Sequence, residues 1–144
     1  QDGPGRRTAF ETLASQWALA APTAAAAWAT GLEGADAEAA QRSLATSWAH
    51  WDSYAASQWI AELPRGAARD GAVTSLIAEV VADEPDSAFA WAETLENAEQ
   101  RAASLRQAYQ AWHATNPAQA KAALLAAALT PEERERLSAI STQP

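Results

Sequence analysis

Residues 47–60 read SWAHWDSYAASQWI and place three tryptophans, Trp48, Trp51 and Trp59, within one short stretch. The whole chain holds seven Trp but only two Phe and two Tyr. Whether these rings form a binding site or a core therefore decides most of what its aromatic surface does. Reading outward in both directions, a period appears. Trp17 to Trp48 is 31 residues, Trp28 to Trp59 is 31, and Trp59 to Trp91 is 32. Counting 32 on from Trp48 gives Val80, and 32 more gives Trp112. Five residues after these first large positions stand Pro22, Ser53, Pro85 and Pro117. Four before them stand Leu13, Leu44, Leu76 and Ala108, and eight before stand Ala9, Ala40, Ala72 and Ser104. Leu32, Leu63 and Leu95 follow the second Trp by four. One extra loop residue between Leu63 and Gly66, compared with Leu32 and Gly34, turns 31 into 32. Columns of Trp, Pro, Leu and Gly agree independently, which marks an internal repeat.

Each unit reads as two helices. Proline starts the short one, because its missing N–H and fixed φ suit the first helical turn. The longer one, as in AARDGAVTSLIAEVVAD, spaces its apolar residues by three and four. The pattern predicts helices near 6–20, 22–31, 36–51, 53–62, 67–82, 86–95, 98–115, 117–129 and 131–140. The last opens with TPEE, where Thr130 and Glu133 match a capping box. A single helix pair cannot bury its apolar stripe, whereas stacked pairs bury it continuously. Trp17, Trp28, Trp48, Trp59, Trp91 and Trp112 are accordingly read as packing residues set against alanine. Trp51 belongs to no column, since its equivalents are Ala20, Asp83 and Thr115, and both packing and an interface role stay open for it.

Composition narrows the class. The chain has 144 residues, enough for one domain, and 49% of them are hydrophobic with 19% charged. Alanine is abundant and β-branched residues are scarce, which favours closely packed helices over sheet. Its Ala-rich runs are broken by Pro and Gly and are too short to span a bilayer, so membrane insertion is not expected. The chain opens on Gln1 and contains no Met, which reads as a processed or excised product with no signal-peptide pattern. Cysteine is absent, removing disulfides, thiol nucleophiles and Cys-based metal sites. A net charge of −8 argues against nucleic acid. Much of that acid lies between Glu79 and Glu99, where seven carboxylates occur without a base; Arg69 and Arg101 flank the run.

These columns resemble the tetratricopeptide-like class of helical repeats. The interval from Pro22 to Trp28 and from Pro85 to Trp91 looks like that family's spacing, as does the interval of 20 from Trp28 to Trp48. LPRGAARDGAV together with WAETL is also similar to short Trp/Ala-rich repeats of bacterial proteins of uncharacterised function. The resemblance covers nearly the whole chain. It implies an all-α fold, a right-handed α-solenoid of about four antiparallel helix pairs. The expected units are a half unit at 6–20, then 21–51, 52–83, 84–115 and 116–141 with a C-terminal cap helix, all in one helical-repeat domain. It further implies a concave groove lined from the short helices. By position the lining would be Ala26, Ala29 and Glu33, then Ser57, Ile60 and Pro64, then Phe89, Ala92 and Glu96, with Lys121. Ser57, Ile60, Phe89, Glu93 and Glu96 are the candidate peptide-binding residues. The implied partner is a protein or peptide carrying apolar and basic residues.

No catalytic or cofactor motif accompanies the repeat. His50 and His113 stand at non-equivalent positions without a metal-binding partner at i±4, and no HExxH, phosphate loop or GxSxG elbow occurs. Glu132 and Glu133 suit the positive end of a helix better than acid–base work. The expectation is a non-catalytic interaction module with no metal and no cofactor. Two other readings remain: a structural spacer or assembly segment of a larger repeat protein, and an accessory helical domain of an envelope enzyme.

Overall fold

Proline stands in the first turn of five helices, where its missing N–H leaves no helical hydrogen bond unmade. The computed structural model describes residues 3–142 and contains eight helices and no strand among them. They are α1 (Pro4–Ala20), α2 (Pro22–Thr30), α3 (Gly34–Glu62), α4 (Ala67–Val80), α5 (Pro85–Glu93), α6 (Ala98–Thr115), α7 (Pro117–Ala126) and α8 (Pro131–Ile140). The protein is all-α, as its sequence predicts. Two predicted helices, 36–51 and 53–62, run together as α3, but Asp52 inside it is not helical (φ −150°, ψ 82°). Ser53 keeps the N–H that the other rows lose to proline, and this is the local difference at that junction.

The repeat is written in the backbone. Ala21, Asp52, Glu84 and Asn116, one per unit, share one conformation, with φ from −153° to −130° and ψ from 63° to 82°. A residue before proline is pushed out of the helical region, so one residue suffices to end one helix and start the next. Its own groups stay satisfied. The N–H of Ala21, Glu84 and Asn116 donates to Trp17, Val80 and Trp112, and their carbonyls accept from Ala25, Ala88 and Ala120. Where proline is missing, Asp52 Oδ1 accepts from the Ala55 N–H at 2.9 Å and caps the restart. The predicted capping box at Thr130 is present, with both of its reciprocal hydrogen bonds formed.

The chain divides into two compact units, one reaching to Glu79 and one starting at Val80. In the first, α3 packs on α1 and α2. Its core is mostly alanine: Ala14, Ala25, Ala29, Ala39, Ala40, Ala45 and Ala56 are fully buried, with Leu44, Ile60, Leu76 and Ile77 filling the rest. Small side chains let helix axes approach closely. The tryptophans are too large for such a seam and lie along its edges. Trp48 is buried, while Trp17, Trp28 and Trp59 are half-buried. Trp17 meets Trp28 and Trp48 meets Trp59 at 5.8 and 5.9 Å between centroids, one pair per repeat.

In the second unit α6 packs on α5, α7 and α8. Phe89, Leu105, Tyr109, Leu124 and Leu137 are buried there. Phe89 lies 6.3 Å from Tyr109 and 5.9 Å from Trp112, so an aromatic cluster replaces the alanine seam.

Side-chain contacts inside each unit recur at about one period. Arg6 with Asp36, Arg42 with Glu11, Trp59 with Thr30 and His50 with Glu79 span 29 to 31 residues. Arg101 with Glu133 and Tyr109 with Ser141 span 32. Within a unit, residues of one helix pair thus meet their near-equivalents on the next.

Candidate binding surfaces

The residues that the family resemblance assigns to a groove fall into three kinds. Ile60 is fully buried and Phe89 nearly so, as are Ala29 and Ala92 at the same repeat position as Ile60. These side chains belong to the cores of their own units and offer no surface to a partner. Ser57 and Glu93 are half-buried. The Ser57 hydroxyl donates back to the Tyr54 carbonyl at 2.7 Å, and the Glu93 carbonyl accepts from the Arg101 guanidinium. Glu96, with Glu33 and Pro64 at equivalent positions, is exposed in the loop after its short helix. The short helix buries a wider face than a groove-lining helix would, because alanine at one position and a larger residue beside it both pack inward.

A different surface stands out in the first unit. Trp51 and Tyr54 are 72% and 73% exposed and are the two exposed Trp, Tyr or Phe side chains among the described residues. Trp51 ends the helical run before the Asp52 kink, and Tyr54 follows the kink. Trp51 meets the His50 ring edge-on at 5.5 Å. Around it, Ser15, Gln16 and Leu19 of α1, Thr46, Ser47 and His50 of α3 and Glu79 of α4 line a shallow depression. Leu19 is itself exposed. His50 Nδ1 lies 3.3 Å from Glu79 Oε2, which ties the depression's floor across α3 and α4. Tyr54 escaped the sequence reading, although the signal that singles out Trp51 applies to it. Its repeat equivalents, Thr23, Asp86 and Ala118, form no column.

No family model, curated protein or solved structure matches the chain.

The depression contains hydroxyls, an imidazole and a carboxylate, the residue types of a hydrolytic triad. These residues stand within helices, whose backbone N–H groups are engaged in helical hydrogen bonds. The Thr46 hydroxyl donates to the Arg42 carbonyl. His113, in the second unit, has its Nε2 buried without a hydrogen-bond partner, and its ring lies 5.8 Å from Tyr109. Among the described residues, no three His, Asp or Glu side chains are grouped so as to hold a metal ion. Nor is any helix there long and apolar enough to cross a membrane.

The second unit carries a charge cluster of another character. Arg101 places its guanidinium on both oxygens of Glu133, at 2.7 and 3.4 Å, and also donates to the carbonyls of Glu93 and Ala128. Arg134 donates to the carbonyls of Leu124 and Ala127. The two guanidiniums thereby satisfy the last carbonyls of α5 and α7, where helix ends favour cations. The hydrogen bond from Arg101 holds the Glu133 carboxyl below the usual glutamate range, against the opposing effect of burial. This cluster fastens helices together. Arg101 answers the acidic run through a backbone carbonyl while its ion pair goes to Glu133, outside the run.

Proposed function

We propose that this chain is a tetratricopeptide-like α-solenoid segment that acts as a non-catalytic module binding a protein or peptide. The observation that carries the proposal is the exposure of Trp51 and Tyr54 in a chain that packs or half-buries every other aromatic ring. Exposed Trp and Tyr beside a depression lined by Leu19 offer large contact area at low entropic cost, as binding hot spots do. A further observation supports it: the four repeated junctions, one for each expected helix pair. Apolar residues of a partner suit the exposed rings of the first unit, and on the second unit, taken by itself, the exposed acids Glu96 and Glu99 suit basic residues.

Selection of peptides from a random display library on the full chain tests this. The expected outcome is a shared motif with apolar and basic positions, bound at least roughly tenfold more weakly when Trp51→Ala and Tyr54→Ala are combined. Glu93→Gln with Glu96→Gln should slow association at low salt and flatten its salt dependence. Failure to enrich any motif, or motifs indifferent to the aromatic pair, would overturn the proposal.

The reading of the chain as an assembly segment has its own support, from the outer face of α1.

A further inference from the structure

The repeat allows one face to be seen both covered and uncovered. On α3, Ala39, Ala40 and Leu44 are fully buried, and on α4 the equivalents Ala72 and Leu76 are buried too. On α1 the same positions are Thr8, Ala9 and Leu13, and all three are exposed, Leu13 at 49%. The neighbouring column shows that this is not a general loosening of α1. Ala14, Ala45 and Ile77 are buried in all three helices.

The helix pair that packs on α3 is α1 with α2. Polar contacts fasten the same elements. Gln41 donates to the Ala29 carbonyl at 3.1 Å, Asp36 pairs with Arg6, and Arg42 pairs with Glu11. On α4 the face approaches α3 so closely that a Cβ on Gly71 would lie 3.8 Å from the Arg42 Cβ.

We infer that the face of α1 bearing Thr8, Ala9 and Leu13 is a docking face for an alanine-rich antiparallel helix pair of this same repeat. The occupant would lie on α1 as α1 and α2 lie on α3. A second copy meeting α1 face to face fits less well. One helix of this length, roughly 25 Å, presents a single narrow strip, whereas stable dimers bury about 800 Å² per partner. Nor does the surface of α8 suit a head-to-tail copy, because Glu132, Glu135 and Arg136 are exposed on it. This inference rests on the stacked-pair part of the function proposed above and not on its peptide ligand, so peptide display and the following experiment fail independently.

The test is a full chain with an additional copy of residues 3–33 placed directly ahead of Gly3. If each added pair contributes its own stability and one interface, the extended chain should gain helical ellipticity and raise its Tm by roughly 5 °C or more. Leu13→Ala, made in the original α1, should leave Tm nearly unchanged in the parent chain and lower it clearly in the extended one. Amide exchange gives a readout that needs no substitution: the α1 amides should slow at least roughly tenfold in the extended chain. An extended chain with unchanged Tm and unprotected α1 amides would overturn the inference. So would sedimentation of the parent as a dimer that Leu13→Glu dissociates, because a second copy would then occupy the face.

Discussion

The two units solve one packing problem with different residues. In the first, α3 rests on α1 and α2 through alanine, and the large rings stand along the edges of the seam. In the second, Phe89 and Tyr109 occupy the centre, and Arg101 and Arg134 hold the helix ends. An alanine seam draws its stability from close approach and many small dispersion contacts, and it has no room to spare. An aromatic centre draws its stability from a few large buried surfaces and loses heavily when one is removed. The same repeat can thus be built around different centres: an alanine seam that resists enlargement in the first unit, and a ring cluster that resists truncation in the second.

A large effect is expected at the centre of the second unit. Tyr109 is fully buried, touches the rings of Phe89 and His113, and shares a 2.5 Å hydrogen bond with Ser141. Tyr109→Ala should destabilise by about 3–5 kcal/mol, measured by urea unfolding. Against a total of about 5–15 kcal/mol for a domain, that removes a large share of the stability. A loss under about 1 kcal/mol would mean that the centre collapses freely around the gap, and the contrast between the units would lapse.

Next comes enlargement in the first unit. Ala56 is fully buried just past the Asp52 kink, at the repeat position of Ala25, Ala88 and Ala120, all likewise buried. Ala56→Leu should cost about 1–3 kcal/mol by overpacking, although it adds apolar surface. Ala120→Leu, at the same position in the second unit, sharpens the comparison. The alanine column runs through both units, so a similar cost there would place the intolerance in the column and not in the first unit as a whole.

The ion pair is expected to weigh less. Its partners, Arg101 and Glu133, have side chains 18% and 15% exposed, so solvent screens the pair only in part. Glu133→Gln should cost about 1–3 kcal/mol, in the range of a charged hydrogen bond. Because the folded carboxyl titrates below its ordinary value of 4.5, the pair contributes fully above that value and fades as pH falls through the lower folded one. The stability gap between parent and variant should therefore be constant from roughly pH 5.5 to 7 and shrink below about 4.5. A gap that widens on acidification would contradict the assignment.

How far the sequence shows all this depends on the side chain. Pro22, Pro85 and Pro117 act on their own backbone, so the helix starts they mark are found where expected. Thr130 and Glu133 form their capping box for the same reason, since both partners lie within one turn. Burial depends on the neighbouring pair and is less legible. Ile60 and Phe89 read as groove residues by position but fill the cores of their own units, because the faces that short helices bury are set by the partner's alanines. The tryptophans read as core and are mostly half-buried, since a closely spaced seam admits their edges only. The pairing of Arg101 with Glu133 was hidden for another reason. Charges usually pair at i+3 or i+4 along one helix, whereas these lie one full period apart.

The smallest effect on stability is expected at Trp51, and it carries the most for function. Large aromatic side chains normally cost several kcal/mol when truncated, but that cost comes from buried area. Trp51 is 72% exposed, and its ring meets that of the exposed His50. Trp51→Ala should therefore shift stability by no more than about 0.5 kcal/mol, within the range of ordinary surface changes. Trp48→Ala, three residues earlier and buried against Trp59, should cost about 3–5 kcal/mol. The two substitutions remove the same atoms from one stretch of α3, so denaturant midpoints measured side by side compare environment alone. If Trp51→Ala proved as damaging as Trp48→Ala, the ring would be part of the fold, and its exposure would lose its value as evidence of a binding surface. If it is neutral, nothing in the stability of the chain accounts for an indole at that position, and contact with a partner becomes the physical reason for it.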